Sequence, residues 1–298
     1  MNQPPFRGIY PILYAFFDSE GRLEREAIRR QIDCSIQAGC HGLAALGLAT
    51  EVNKLTEAER FQLMEWVAED VGGRVPLAFT VNGNSVEQQI EYAKAAADLG
   101  ASWVILQPPP VKGLPEIEYI RFFGAVADQA SIPVAIQNAP EYIGIGLSVE
   151  GIKSLNKNHP NFSLLKGEGP VLEVQETIEA LDGAVGVFNG RGGLELPDNL
   201  RAGCAGMVPA TDTVDYQSKI YDLMQSGDEA EAERLYQQIL PFLTYIMQSL
   251  DMLLCYGKRI AAIRMGIKEV HDRAPSLAPT EFGMERARAY AKALGKLE

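Results

Sequence analysis

Short apolar runs recur along the chain up to residue 208, and segments with helical periodicity separate them. Each run is continuously apolar rather than alternating with polar residues. Such runs are typical of strands that are covered on both faces in a parallel sheet. We predict eight strands, at residues 10–17, 42–48, 76–81, 103–107, 133–137, 162–165, 184–188 and 205–208.

The segments between the runs carry helix-start signals. Thr56 precedes Glu59 by three residues, which is a capping-box pattern, and Ser85 and Ser148 stand where two further helices should begin. Eight strand-and-helix units favour an α/β fold of the closed (β/α)8 TIM barrel type over an open sheet. The G-x-G-x-x-G turn that follows the first strand of a dinucleotide-binding sheet is missing from this sequence.

The pattern changes near residue 226, after which only helical segments follow. We predict helices at 228–248, 252–270 and 280–294, with a kink or break in the first at Pro241. No linker rich in glycine, serine or proline precedes this part. We therefore expect a barrel domain over residues 1–225 and a helical extension over 226–298 that packs on the barrel.

Composition excludes several classes of function. The 39 acidic and 27 basic residues give a formal charge of −12, which argues against a nucleic-acid partner because phosphates require a cationic face. The sequence has neither an apolar run long enough to span a membrane nor the pattern of a signal peptide. The four cysteines and three histidines form no metal-ligand spacing, so we expect no metal and a cytoplasmic, reducing location.

Lys166 is the most conspicuous polar residue, because it directly follows the apolar run at 162–165. In a TIM barrel, the carboxyl ends of the strands form the active face. Apolar surroundings lower the pKa of a lysine ammonium, and the neutral amine attacks carbonyl carbons. The alternative is a structural lysine at the barrel rim that pairs with Glu168.

Glu168 lies two residues further along and should point to the same side as Lys166. A carboxylate beside an imine-forming amine could act as the general base of carbanion chemistry. A simple ion pair at the end of a strand remains the alternative. The glycine-rich turn that contains Gly190 and Arg191 has two interpretations of equal weight. The glycines either let the backbone approach a ligand closely or simply form a tight turn.

In several segments the chain resembles the dihydrodipicolinate synthase / N-acetylneuraminate lyase family of class I aldolases and dehydratases. The matching segments are residues 8–12, 47–51, 55–60, 97–101, 107–109, 132–140 and 165–166. The resemblance implies a TIM barrel with a helical bundle, a homotetramer, and no cofactor beyond a lysine imine. It also implies that Lys166, at the family's strand-six lysine position, condenses with a small 2-keto acid.

Two departures from the family pattern bear on the substrate. The usual G-T-T-G-E reads Gly-Leu-Ala-Thr-Glu at residues 47–51, which leaves backbone N–H groups and Thr50 to hold a carboxylate. Gln137 stands where the family has a tyrosine, and an amide cannot relay a proton as a phenol does. No arginine follows Pro140 closely, so lysine biosynthesis is disfavoured.

A subset of 2-keto-3-deoxy-sugar-acid dehydratases departs in a similar way, and the chain resembles it at Gln137, Ala139-Pro140, Lys166 and Glu168. This likeness implies that Glu168 removes a C3 proton from an iminium on Lys166, after which the C4 hydroxyl leaves. The candidate substrate-binding residues are Ala49, Thr50, Gln137, Asn138, Tyr142 and Gly190. Two alternatives stay open, namely pyruvate-releasing aldol cleavage and a non-catalytic ligand-binding barrel.

Overall fold

In the computed structural model, which describes residues 6–297, eight parallel strands form a (β/α)8 TIM barrel, as predicted. Their order around the sheet is β1-β8-β7-β6-β5-β4-β3-β2. The strands are β1 Gly8–Ile9, β2 Leu43–Ala45, β3 Leu77–Val81, β4 Trp103–Leu106, β5 Val134–Asn138, β6 Phe162–Gly167, β7 Gly186–Asn189 and β8 Gly206–Met207.

The first strand is shorter and earlier than the prediction of residues 10–17. The chain at 10–13 is extended but divides its hydrogen bonds between two neighbours, because it closes the barrel between β8 and β2. The Ile12 N–H donates to Pro209 O, whereas the Leu13 N–H donates to Ala44 O. A regular ladder of hydrogen bonds with β8 is therefore confined to the two residues of β1. There the two strands approach so closely that a Cβ on Gly206 would lie 1.9 Å from the Gly8 carbonyl oxygen.

Helices connect the strands, and the predicted caps are present. Thr56 and Glu59 form the capping box, while Ser85 and Ser148 accept the N–H groups of Gln88 and Gly151. The helices up to the eighth strand are α1 Arg25–Gln37, α2 Glu57–Val71, α3 Val86–Asp98, α4 Glu116–Ala127, α5 Pro140–Ile143, α6 Val149–Asn158, α7 Val171–Leu181 and α8 Leu196–Arg201.

After β8 the regular elements that the structure describes are all helices, as predicted, although residues 267–280 form an irregular connection. The helices are α9 Val214–Ser226, α10 Glu229–Ile246, α11 Leu250–Met252, α12 Lys258–Met265 and α13 Glu281–Leu294, and the wider turns of Leu253–Gly257 join α11 to α12. α10 is continuous through Pro241, so a break there is wrong. Its buried face, which includes Ile239, Phe242 and Leu243, outweighs one lost backbone hydrogen bond.

The predicted helix at 252–270 is also shorter than expected, because α12 stops at Met265. Gly266 follows with φ +74°, the left-handed conformation that ends many helices.

The helical extension packs on the barrel through buried ion pairs. Arg264 reaches Asp215 at 2.7 Å, and Lys258 reaches Glu51, in the loop after β2, at 2.7 Å. Within residues 6–297 no single helix is both long and apolar enough to cross a membrane, although α10 and the helical stretch after it meet those criteria as a pair bent by 109°. The boundary near residue 226 remains our proposal.

Candidate active site

Lys166 is the fifth residue of the six-residue strand β6, and its side chain lies at the bottom of a cleft in the barrel mouth. Its partners in register are Gln137 on β5 and Phe188 on β7. The neighbouring Leu165 and Gly167 line a different pocket, against α7. Because side chains alternate along a strand, this arrangement sends the Lys166 amine inward, where the residue is only 3% exposed.

Glu168 is buried directly beside this amine, with its Oε1 atom 2.8 Å from Lys166 Nζ. The same oxygen accepts a hydrogen bond from Gln137 Nε2 at 3.2 Å, and Oε2 accepts one from the Arg191 N–H at 3.0 Å. A Cβ on Gly190 would lie 2.3 Å from Oε2. Gly190 is therefore needed so that the carboxylate can approach the backbone this closely.

Side-chain amides at the ends of β3, β4 and β5 form a chain of hydrogen bonds that ends on Glu168. Asn82 Nδ2 donates to Gln107 Oε1 at 2.6 Å, and Gln107 Nε2 donates to Gln137 Oε1 at 2.8 Å. Gln107 and Gln137 are 3% and 1% exposed. Buried amides cost free energy unless they are paired, and here each is paired with the next.

The cleft above Lys166 has a volume of about 470 Å³, and its wall is mostly apolar. Loops after the strands supply one side, and the helical extension supplies the other. Its lining consists of Ile12, Leu48, Ala49, Tyr142, Lys166, Glu168, Arg191, Gly192, Val208, Pro209, Ala210, Met247, Leu250 and Leu253.

The loop after β2 lines this cleft with Leu48 and Ala49. Among residues 6–297, neither the Leu48 N–H nor the Ala49 N–H has a hydrogen-bond acceptor, although Ala49 is only 3% exposed. Leu46 and Glu51 on either side have φ values of +64° and +54°, so the backbone turns sharply around the pair. Two adjacent free donors can receive a carboxylate.

Two predicted substrate-binding side chains are engaged elsewhere. The Thr50 hydroxyl is fully buried and donates to the Leu13 carbonyl at 2.6 Å, which ties the β2 loop to the barrel closure. The Asn138 amide faces the outside of the barrel and pairs with both backbone groups of Leu147. The structure does not bring either side chain to Lys166. For Asn138 the reason is strand alternation, since its neighbour Gln137 is the one that points inward.

Tyr142 and Arg191 stand above the amine and the carboxylate. Burial raises the pKa of the Tyr142 phenol, and the nearby charge of Glu168 raises it further, against the opposing effect of Arg191. Arg191 pairs with Glu195 at 2.8 Å. Its Nε is buried and has no hydrogen-bond partner within the described part of the chain.

Sequence analysis missed Asn82 and Gln107 as site residues. Each is the first polar residue after the apolar run of β3 or β4, at the position that Gln137 and Lys166 hold on the next two strands. That recurrence was visible in the sequence. The contribution of Met247, Leu250 and Leu253 was not visible, because it depends on where the extension docks.

Across residues 6–297, no group of three or more His, Cys, Asp or Glu side chains is arranged to hold a metal ion. The four cysteines are buried, and none of them forms a disulfide in the part of the chain that the structure describes.

A family model matches nearly the whole chain. The model of the dihydrodipicolinate synthetase family aligns with residues 5–293. The chain is 28% identical over 250 residues to an L-2-keto-3-deoxyarabonate dehydratase of Azospirillum brasilense, covering 82% of this chain and 81% of that protein. It is 26% identical over 240 residues to a 4-hydroxy-tetrahydrodipicolinate synthase of Methanococcus maripaludis, covering 80% and 82%.

A solved structure shows the same fold. The sialic acid aldolase of Ruminococcus gnavus superposes with a TM-score of 0.88 over 97% of this chain and 98% of its own, at 21% identity. At this level of identity the likeness concerns the fold alone.

Proposed function

Because this chain belongs to the dihydrodipicolinate synthetase family, whose members are class I lyases, we propose that it dehydrates a short 2-keto-3-deoxy sugar acid through an imine at Lys166. The observation that carries the proposal is the pair of Lys166 Nζ and Glu168 Oε1, 2.8 Å apart at the bottom of an apolar cleft. The relative in Azospirillum brasilense, an L-2-keto-3-deoxyarabonate dehydratase, supports this class of reaction.

The pair can form the imine without another base. Glu168 takes a proton from the Lys166 ammonium, and the free amine adds to the C2 carbonyl of the substrate. The same proton then assists the departure of water from the adduct, which leaves an iminium on Lys166 and an ionised Glu168. The hydrogen bonds from Gln137 and the Arg191 N–H hold the carboxylate in place throughout.

Elimination follows from the electron demand of the iminium. Glu168 removes a proton from C3, and the C–H electrons form an enamine as the C=N π electrons move to nitrogen. The enamine electrons then expel the C4 hydroxyl, which leaves as water once it receives a proton. Hydrolysis of the resulting unsaturated iminium releases the product and restores the Lys166 amine.

We assign Tyr142 as the donor of that proton. Its phenol is protonated at neutral pH, as an unperturbed tyrosine also is, and it lines the same cleft as Lys166 and Glu168. In this assignment Tyr142 acts as an acid, as dehydration requires. Aldol cleavage would instead require a base for the C4 hydroxyl.

We assign the substrate carboxylate to the backbone N–H groups of Leu48 and Ala49. Gln137 and Gly190 serve the site through Glu168, the first by a hydrogen bond and the second by leaving room. Thr50 supports the β2 loop from behind. Asn138 holds Leu147 and has no direct role in this proposal.

The remaining wall limits the tail of the substrate. Beyond the reacting groups and Arg191 it consists mostly of apolar side chains, including Ile12, Val208, Ala210, Leu250 and Leu253. Hydroxyl groups placed against such a wall would lose their hydrogen bonds to water. A pentonic acid, which has only one hydroxyl beyond C4, fits this wall better than a longer sugar acid with more hydroxyls.

Borohydride trapping tests the proposal. The protein is incubated with 2-keto-3-deoxy pentonic acids and pyruvate, reduced, digested and analysed by mass spectrometry, and the products of unreduced samples are identified. We expect an adduct on the Lys166 peptide and a dehydrated 2-keto acid. Lys258, which is also buried and paired with a glutamate, is an internal control that should carry no adduct.

The outcome separates the alternatives. Pyruvate and an aldehyde as products would instead identify an aldolase. Binding without an adduct on Lys166 and without turnover would identify a non-catalytic barrel.

We further propose that the enzyme acts as a homotetramer in the cytoplasm, with no metal or nucleotide cofactor. Four buried cysteines without a disulfide among the described residues suit a reducing compartment. Val111, Leu114 and Ile117 are each more than 40% exposed near the start of α4, so subunit contact has an apolar surface to cover. Light scattering on a size-exclusion column checks the tetramer.

A further inference from the structure

We propose that Gln107 and Asn82 are positioning residues, which fix the direction of the Gln137 amide so that Glu168 always meets an N–H donor and is held in place. The chemical use of Glu168 rests on the proposed function, but the orientation itself does not. The chain spans the ends of four consecutive strands, with steps of 2.6 Å, 2.8 Å and 3.2 Å from Asn82 to Glu168.

The direction follows from what each group can donate or accept. An ionised carboxylate only accepts, so Gln137 must turn its Nε2 toward Glu168 and its Oε1 away. That oxygen accepts from Gln107 Nε2, which leaves Gln107 Oε1 to accept from Asn82 Nδ2. Every donor thus points the same way. Reversal at one amide would set oxygen against oxygen at a neighbouring step.

Burial makes the direction of these hydrogen bonds costly to reverse. Gln107 and Gln137 are shielded from water, so a reversed amide could not replace its lost partner with solvent. Gln89, which is fully buried, donates to the Gln107 carbonyl at 2.8 Å and so holds the backbone of that residue. Asn82 is only partly buried and forms the end nearest to solvent, which makes it the weaker of the two positioning residues.

Charged and titratable groups from several elements also surround Glu168. Lys166 pairs with it directly, and Tyr142 and Arg191 share its cleft. On the outer side it shares a pocket with Glu141 and Glu173. None of these groups changes in the variants proposed below. Gln107→Glu adds a carboxyl group of its own, so Gln107→Met, which adds no charge, is the variant that reports the amide chain alone.

Three variants test the inference. Gln107→Glu places an acceptor where Gln137 Oε1 needs a donor, so the Gln137 amide should turn and present its oxygen to Glu168. Gln107→Met removes the donor without reversing the amide. Thr80→Val is the matched control, because the Thr80 hydroxyl is buried on the same barrel side and, among the described residues, has no hydrogen-bond partner.

The first readout needs no substrate. Infrared spectra of each variant, minus those of the same variant carrying Glu168→Gln, isolate the bands of the Glu168 carboxyl group. We expect these bands to move in Gln107→Glu relative to the wild type, since the Oε1 atom of Glu168 loses the hydrogen bond from Gln137 Nε2. Gln107→Met should move them less, and Thr80→Val should leave them in place. Identical bands in all four proteins would overturn the inference.

The second readout is kinetic. We expect Gln107→Glu to lower kcat about tenfold with little change in KM, because a Glu168 carboxylate without the Gln137 N–H is no longer held in place for the C3 proton. Should Gln107→Glu fail to fold, Asn82→Leu replaces it in both readouts with a smaller shift in the same direction. Absence of any adduct in the wild type would refute the proposed function, whereas the infrared comparison would still decide the orientation.

Discussion

The barrel holds two buried lysine–glutamate pairs that look alike as pairs and differ in their surroundings. Lys166 and Glu168 are 2.8 Å apart, and Lys258 and Glu51 are 2.7 Å apart, with both lysines almost inaccessible. The second pair is part of a closed network, in which Lys54 binds the other oxygen of Glu51 and Asp272 lies 3.3 Å from Lys258.

The first pair meets different neighbours. Its carboxylate receives its other hydrogen bonds from neutral N–H groups, and its amine lines a cleft. A carbonyl compound can therefore reach Lys166, whereas Lys258 is enclosed between carboxylates and the ring of Phe17. Burial and pairing of a lysine do not by themselves indicate chemistry. What distinguishes the two pairs is access, together with the charge of the remaining partners.

The largest effects are expected when each of the two lysines is replaced in turn by methionine. Lys166→Met should abolish turnover and the borohydride adduct, because the nucleophile is gone, and it should also lower the free energy of unfolding, because it leaves the buried Glu168 with neutral N–H partners only. Lys258→Met should lower that free energy by about 3 kcal/mol, since it leaves Glu51 buried with only Lys54. Urea denaturation and adduct mapping measure both effects. If a fully folded Lys258→Met variant also lost the adduct, the distinction between a catalytic and a structural lysine would be wrong.

The partners of the two lysines, Glu168 and Glu51, should differ in the same way, the first in its effect on the chemistry and the second in its effect on stability. We expect Glu168→Gln to reduce dehydration about a thousandfold, because an amide cannot remove the C3 proton, and to slow the formation of the adduct on Lys166 without abolishing it, because the nucleophile is still present. Glu51→Gln should leave the chemistry of the folded protein intact and lower its denaturation midpoint. Steady-state kinetics at equal concentrations of folded protein make the distinction. A Glu168→Gln variant with normal turnover would remove Glu168 from the mechanism.

A third and smaller effect concerns two tyrosines, one near each pair. Tyr142→Phe should lower kcat about a hundredfold with little change in KM, because the proton donor for the leaving hydroxyl is lost. Tyr256 follows Cys255 beside the second pair, and its hydroxyl accepts the Thr280 N–H at 3.0 Å. Tyr256→Phe is therefore the matched control and should affect stability alone. Equal kcat values in the two variants would exclude Tyr142 as the donor.

The smallest expected effect is on the pH dependence of stability that the closed network around Lys258 contributes in acid. Burial alone would raise the pKa of Asp272, but the hydrogen bond from Arg259 and the charge of Lys258 lower it below 3.8. A lowered pKa contributes stability that is present above 3.8 and is lost as pH falls through the folded-state value. Asp272→Asn should remove about 1 kcal/mol of this dependence, seen as a flatter stability curve in acid. An unchanged curve would show that the network adds nothing to it.

Much of the barrel could be predicted from the sequence because its signal is local. Continuous apolar runs located the strands, and Thr56, Ser85 and Ser148 marked helix starts through bonds to residues three positions away. The first strand was placed wrongly because residues 10–13 divide their hydrogen bonds between β8 and β2, which lie far away in the chain. Pro241 was misjudged because tertiary packing outweighed a local penalty.

By itself, the sequence determined the barrel class and put Lys166 and Glu168 on one side of one strand, since side-chain alternation needs only the local backbone. The tertiary structure decided what surrounds them. It turned Asn138 outward and Thr50 toward Leu13, linked Asn82 and Gln107 to Glu168, and brought the extension over the cleft. These contacts join residues far apart in the chain, so they exist only once the barrel has closed.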